Sequence, residues 1–158
     1  MRVLILALLT MSFYSSCGQQ SFDKMLNDLL RFSVPVVKPS EVKNSQVLFV
    51  DAREKEEFEV SHIPGAIHSG YDHFNADLFK SVNKDTPIVV YCSVGYRSEK
   101  IAEKLKTMGF SNVRNLYGGI FLWKDSGLEV VNSRGSTQDV HTYSEKWSKW
   151  LKTGNKKW

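Results

Sequence analysis

Cys92-Ser93-Val94-Gly95-Tyr96-Arg97-Ser98 sets a thiol, a glycine and a guanidinium in one short loop, directly after the apolar run Ile88-Val89-Val90-Tyr91. Only the thiolate form of a cysteine is a strong nucleophile, and a free thiol ionises at about pH 8.5. A helix start supplies unpaired N–H groups and the positive end of a dipole, which favour an anion placed there. The spacing predicts a helix opening near Ser98, with Cys92 close to its start. The backbone N–H groups of residues 93–98 are then placed to converge on a bound anion. Gly95 permits a left-handed or tightly curved backbone. Arg97 offers a planar fork of donors for an oxyanion. The implied chemistry is nucleophilic attack by sulfur on a sulfur compound or an oxyanion. Two bland readings stand beside it: Cys92 as a buried inert thiol, and Arg97 as a surface partner of Glu99 or Glu103.

The elements that must position this loop follow from apolar patterning. Residues 47–50 and 88–91 are continuous apolar runs, the mark of strands covered on both faces. Residues 112–116 read as a further strand, and 63–67 as a turn leading into a brief one. Residues 54–60 read as a short acidic helix and 71–79 as helical. Residues 98–108 place Ile101, Ala102 and Leu105 on one face, with Gly109 as the stop. Alternating strands and helices imply an α/β fold with a mainly parallel sheet and helices on both faces. In such folds ligands sit at the carboxyl ends of strands, where Cys92 and Asp51 fall. Asp51 is expected to cap the next helix, Arg53 to pair with Glu56 or Glu57, and His62 to fix a turn by hydrogen bonding. Tyr143, Trp147, Trp150 and Leu151 recur at helical spacing, predicting a terminal helix that lays aromatics on the domain.

No metal site is expected: the spacing of His62, His68 and His73 matches no zinc pattern. Gly118-Gly119 lack the following Lys-Ser/Thr of a phosphate loop and read as a tight strand-to-helix turn. The 158 residues suit one domain with a real core. Residues 134–158 hold six Lys/Arg and two Asp/Glu, so the net charge of +4 is a property of the tail. A nucleic-acid footprint needs a basic face on the folded body, and none is expected.

Met1-Arg2 followed by the apolar residues 3–9 and then Ser15-Ser16-Cys17-Gly18 has the layout of an export signal. Its end resembles a bacterial lipobox, with Tyr14 where a Leu-like residue is usual, which implies lipidation at Cys17. The expected divisions are a signal peptide at 1–16, a tether and first helix at 17–33, a domain at 34–131, and a basic, aromatic extension at 132–158 packed on it. The expected location is the bacterial periplasm, on a membrane through Cys17. With Cys17 acylated, the mature chain has one thiol and no internal disulfide.

Four residues lie between Cys92 and Arg97. Cysteine phosphatases have a similar loop with one residue more between the two, and a His where this chain has Tyr91. The shorter loop encloses a smaller cradle, better suited to a terminal sulfur on the cysteine than to a whole phosphate. With Asp51-Ala52-Arg53-Glu54 and Glu57-Phe58, His62-Ile63-Pro64-Gly65-Ala66-Ile67, and Leu116-Tyr117-Gly118-Gly119 followed by Trp123, the chain resembles the rhodanese family over residues 34–131. The resemblance implies a doubly wound α/β domain around a parallel sheet. It implies that Cys92 accepts sulfane sulfur from thiosulfate or a persulfide and passes it to a thiol or cyanide. Ser93, Val94, Gly95, Tyr96 and Ser98 would bind the donor with Arg97, which would also stabilise departing sulfite. Asp51, Arg53 and His62 would support the site, and no cofactor is implied. The alternatives are a non-catalytic binding or sensing module of the same fold, and an oxyanion enzyme such as a phosphatase or arsenate reductase.

Overall fold

The computed structural model describes residues 22–158, which fall into two units divided between Arg31 and Phe32. The expected signal segment and Cys17 lie outside the described residues. In the first unit, residues 22–29 form helix α1, carrying an exposed Lys24–Asp28 pair one turn apart.

The second unit begins with β1 (Val36–Val37), α2 (Pro39–Val42), β2 (Leu48–Asp51), α3 (Lys55–Val60) and β3 (Ile67–His68). A 3-10 turn (Ala76–Phe79) precedes β4 (Ile88–Tyr91), α4 (Tyr96–Thr107), β5 (Val113–Leu116) and α5 (Gly119–Asp125). The chain closes with β6 (Val130–Asn132), β7 (Gly135–Thr137), β8 (Asp139–His141), α6 (Glu145–Ser148) and β9 (Asn155–Lys157). Five strands form one parallel sheet in the order β1-β5-β4-β2-β3. The expected α/β fold is therefore present, with β4 at the centre. All four residues of β4 are buried, as its unbroken Ile-Val-Val-Tyr run requires. Val50, Val90 and Ile88 pack with Ile101, Ala102 and Leu105 of α4 and with Phe79 and Phe110 in the main core.

Three local expectations are corrected. Residues 71–79 contain only the 3-10 turn, because the Asn75 side chain accepts from Asp77 N at 3.1 Å and starts it late. Asp51 does not cap α3; Glu54 occupies that position, and its N–H donates to Glu57 of the first turn at 3.1 Å. The terminal helix shrinks to α6. The Asp125 carboxylate accepts from the N–H groups of Lys152 and Thr153 at 3.0 and 2.8 Å, and Gly154, at φ +93°, turns the chain into β9 beside β8. Of the four residues in that pattern only Leu151 is buried.

Asp51 instead pairs with Arg53. The Arg53 Nη2 and Nε atoms lie 2.6 and 2.9 Å from the carboxylate, and both side chains are fully buried. Arg53 does not pair with Glu56 or Glu57, the expected partners. Its Nη2 also donates to Ser61 O at 2.6 Å, clamping the end of β2 to the end of α3. Burial alone would lower the Arg53 pKa; the Asp51 carboxylate more than reverses this and keeps the guanidinium charged. Removing one member of such a pair strands the other charge in the core. Asp51→Ala is expected to lower the unfolding free energy by about 3–5 kcal/mol, read as a reduced urea midpoint at an unchanged slope.

Candidate active site

The loop from β4 to α4 is held from below by α5. The N–H groups of Ile120 and Phe121 donate to the carbonyls of Cys92 and Ser93 at 2.9 and 3.2 Å. This approach requires glycine at 119. A Cβ there would stand 2.3 Å from Cys92 O and 2.6 Å from Ser93 O, and φ is +54°. The expected tight turn at Gly118-Gly119 is therefore also the seat of the cysteine loop.

On the other side of the loop the Gly95 N–H donates to Cys92 Sγ at 3.1 Å. Gly95 has φ +121°, outside the range of ordinary L-residues, and stands immediately before α4. Its carbonyl accepts from Asn115 Nδ2 at 2.9 Å, while Asn115 Oδ1 accepts from the Ser98 hydroxyl at 2.7 Å. The Ser98 side chain is fully buried and committed to fixing the loop on β5, rather than offering its hydroxyl to a ligand. α4 opens at Tyr96, two residues before the expected start, which brings its first turn closer to Cys92.

Arg97 pairs with neither Glu99 nor Glu103. Its Nη1 and Nη2 donate to the two Glu57 oxygens at 2.7 and 2.8 Å, and Nη2 also reaches Ser93 Oγ at 3.1 Å. The Ser93 hydroxyl in turn donates to Glu57 Oε1 at 3.2 Å. Burial would lower the Arg97 pKa, but the hydrogen bond to Glu57, the charge on Cys92 and the charge on Glu57 together raise it. Burial would raise the Glu57 pKa; the hydrogen bond and charge of Arg97 overcome it and hold the carboxyl below its ordinary value. The result is a charged guanidinium fixed by Glu57 within electrostatic reach of Cys92. Val94 is buried, and Tyr96 is 43% exposed at the rim.

Of the three residues expected to support the site, Asp51 and Arg53 form the buried pair at the end of β2. The Arg53 guanidinium lies 5.7 Å from the centroid of Tyr91, whose Oη accepts from Ile63 N at 3.1 Å. Burial, reinforced by the Asp51 charge, pushes the Tyr91 phenol up, so it stays protonated. The His62 ring stacks on Phe58 at 3.9 Å, and its Nδ1 is 3.0 Å from Phe58 O, so the ring's contacts go back to α3 and not to the Ile63–Ala66 turn that it precedes. Residues that sequence reasoning did not place here are Glu57 as the Arg97 partner, Asn115, Gly119 and the tail residues His141 and Tyr143. Asn115 carried little signal, since β5 reads Val-Arg-Asn-Leu and Arg114 beside it is polar too. The Arg97 guanidinium carbon lies 5.3 Å from the centroid of Tyr143.

The Rhodanese-like domain family matches residues 38–126, more than half of the chain. The chain belongs to this family. The adenylyltransferase and sulfurtransferase UBA4 of Candida albicans is 34% identical over 124 residues, which are 73% of this chain and 28% of that protein. The chain thus spans under a third of the length of that relative. The thiosulfate sulfurtransferase GlpE of Pseudomonas syringae is 33% identical over 91 residues, covering 58% of this chain and 85% of GlpE. A solved rhodanese-like domain protein from Staphylococcus aureus is 33% identical, with a TM-score of 0.53, over 61% of this chain and 97% of that one. The doubly wound expectation agrees with these neighbours and with the parallel five-stranded sheet.

A carboxyl whose pKa is lowered on folding stabilises the native state above its unfolded pKa and loses that effect as pH falls through the folded value. For Glu57 the window therefore opens below its ordinary value of 4.5. Glu57→Gln is expected to cost about 1–3 kcal/mol at pH 7 and to flatten the acid limb of stability below that pH. Urea titrations at a series of pH values check both effects.

Proposed function

We propose that this rhodanese-like chain is a sulfurtransferase with Cys92 as its sulfur carrier. The observation that supports this best is the Gly95 N–H aimed at Cys92 Sγ at 3.1 Å, beside the fixed charge of Arg97. In the first step the Cys92 thiolate attacks the outer sulfur of thiosulfate. The S–S bond breaks, sulfite leaves with the electron pair, and the cysteine becomes a persulfide anion. An organic persulfide serves in the same way, with a thiolate as leaving group. In the second step a thiol or cyanide attacks the outer sulfur, and Cys92 departs as the thiolate. The sulfur stays at the sulfane level throughout, so no outside oxidant or reductant is required. This is covalent catalysis by a positioned thiolate, aided by donors already oriented toward negative charge.

The backbone of Ser93, Val94, Gly95, Tyr96 and Ser98 would line the donor site. Arg97 would act mainly as a charge fixed by Glu57, facing the sulfur and the departing anion. The relative GlpE, named a thiosulfate sulfurtransferase, supports this choice of donor. We further propose export and a lipid anchor at Cys17, from the residue pattern of positions 1–18.

Cys92→Ser is expected to abolish thiocyanate formation from thiosulfate and cyanide. Intact mass after thiosulfate should show one added sulfur atom on the wild type, removed by excess thiol and absent from the variant. Turnover by Cys92→Ser would exclude the assigned nucleophile. Separately, Cys17→Ser should move the protein from the membrane to the soluble fraction of the producing bacterium; unchanged membrane association would exclude the anchor.

A further inference from the structure

Tyr143 lies in the tail, beyond residues 38–126 of the family match. It is 59% exposed, so apolar burial does not account for its place. Its backbone has φ +67°, and Ser144 N donates to Thr142 O at 2.8 Å across it. That is a three-residue turn of the rare, strained hand. The turn is nevertheless held firmly. Thr142 is fully buried, and its N–H and hydroxyl both donate to Lys157 O, at 2.7 and 3.1 Å. The N–H of Tyr143 donates to His141 Nδ1 at 3.0 Å. The β8–β9 pair thus presents one aromatic ring, in a costly conformation, to the Arg97 guanidinium, whose central carbon stands over that ring at 5.3 Å.

That guanidinium has its edge occupied by Glu57 and Ser93. A cation over an aromatic face is attracted by it and is partly shielded from water. We propose that Tyr143 is a positioning residue that acts through Arg97, its ring packing against the guanidinium so that the charge stays fixed near Cys92. The role rests on Cys92 being the reactive sulfur. The charged and titratable groups around it are Glu57 on α3, Arg53 before α3, Arg97 on α4 and His141 on β8. Burial holds His141 below its ordinary pKa, so its Nδ1 remains free to accept from Tyr143.

The test compares Tyr143→Asn, which tolerates the left-handed backbone, with Tyr143→Phe, which keeps the ring. Two rates are read at pH 7: alkylation of Cys92 by iodoacetamide, and sulfur transfer from thiosulfate to cyanide. Tyr143→Asn is expected to slow both about two- to five-fold, the size of a cation–π contact at a partly exposed site. The loss in transfer should fall in kcat more than in KM, and Tyr143→Phe should match the wild type. Unchanged alkylation in Tyr143→Asn overturns the proposal. So does a Tyr143→Phe variant as slow as Tyr143→Asn, since the hydroxyl and not the ring face would then matter. If the wild type transfers no sulfur from thiosulfate, the sulfurtransferase reading fails, and the alkylation rates alone decide the role of Tyr143.

Discussion

The carbonyl oxygens of Cys92 and Ser93 point into the first turn of α5, where the N–H groups of Ile120 and Phe121 take them. A buried loop must find partners for every backbone polar group. Here the carbonyls are satisfied on one side, which turns the loop toward its sulfur on the other. The Gly95 N–H then reaches Cys92 Sγ. All of this depends on two backbones meeting closer than any Cβ allows, at Gly119. A residue after β5 therefore decides what the sulfur after β4 experiences. Asn115, at the end of β5, holds both Gly95 O and Ser98 Oγ and so fixes the same loop from the strand side.

Two buried ion pairs organise the rest. Asp51 and Arg53 are both fully buried, and their pair ties the end of β2 to the end of α3. Glu57 and Arg97 tie α3 to α4 with two short bonds. Such pairs lose hydration on burial and recover it only with good geometry and further hydrogen bonds. Each has them: Ser61 O for the first, Ser93 Oγ and Glu54 N for the second. Packing apolar groups there instead would give up the charge. The second pair differs in consequence, because its cation also interacts electrostatically with Cys92. Glu57 thereby sets where a positive charge stands near the sulfur without touching the sulfur itself.

The central strands were legible because β2 and β4 carry continuous apolar runs, and α4 because Ile101, Ala102 and Leu105 share a face. The loop was legible because its residue types are unusual together. The partner of Arg97 was not. Glu57 is forty positions away in sequence, and proximity along the chain favours Glu99 and Glu103, within two turns on the same helix. Asp51 misled for a different reason. A carboxylate after a strand has the pattern of a cap, yet Arg53 two positions on offers a stronger partner once both are buried. In the tail, Tyr143, Trp147, Trp150 and Leu151 have helical spacing. Asp125, on another element, captures the N–H groups of Lys152 and Thr153 and ends the pattern there. The misses at Arg97 and in the tail are long-range contacts overriding a local preference, while the one at Asp51 is a local choice decided by burial.

Cys92 is only 1% exposed, and a thiol buried among apolar groups is ordinarily inert. Its surroundings here are mixed rather than apolar. Val94 is buried nearby, but a peptide N–H and a fixed guanidinium charge act on the sulfur. Both are held by partners on other elements, so neither must reorganise when negative charge moves onto or off that atom. Scarce water makes their interaction with that charge stronger. The same scarcity limits what arrives. A sulfur showing so little surface favours a donor that presents one narrow terminal atom, in the same direction as the four-residue interval between Cys92 and Arg97.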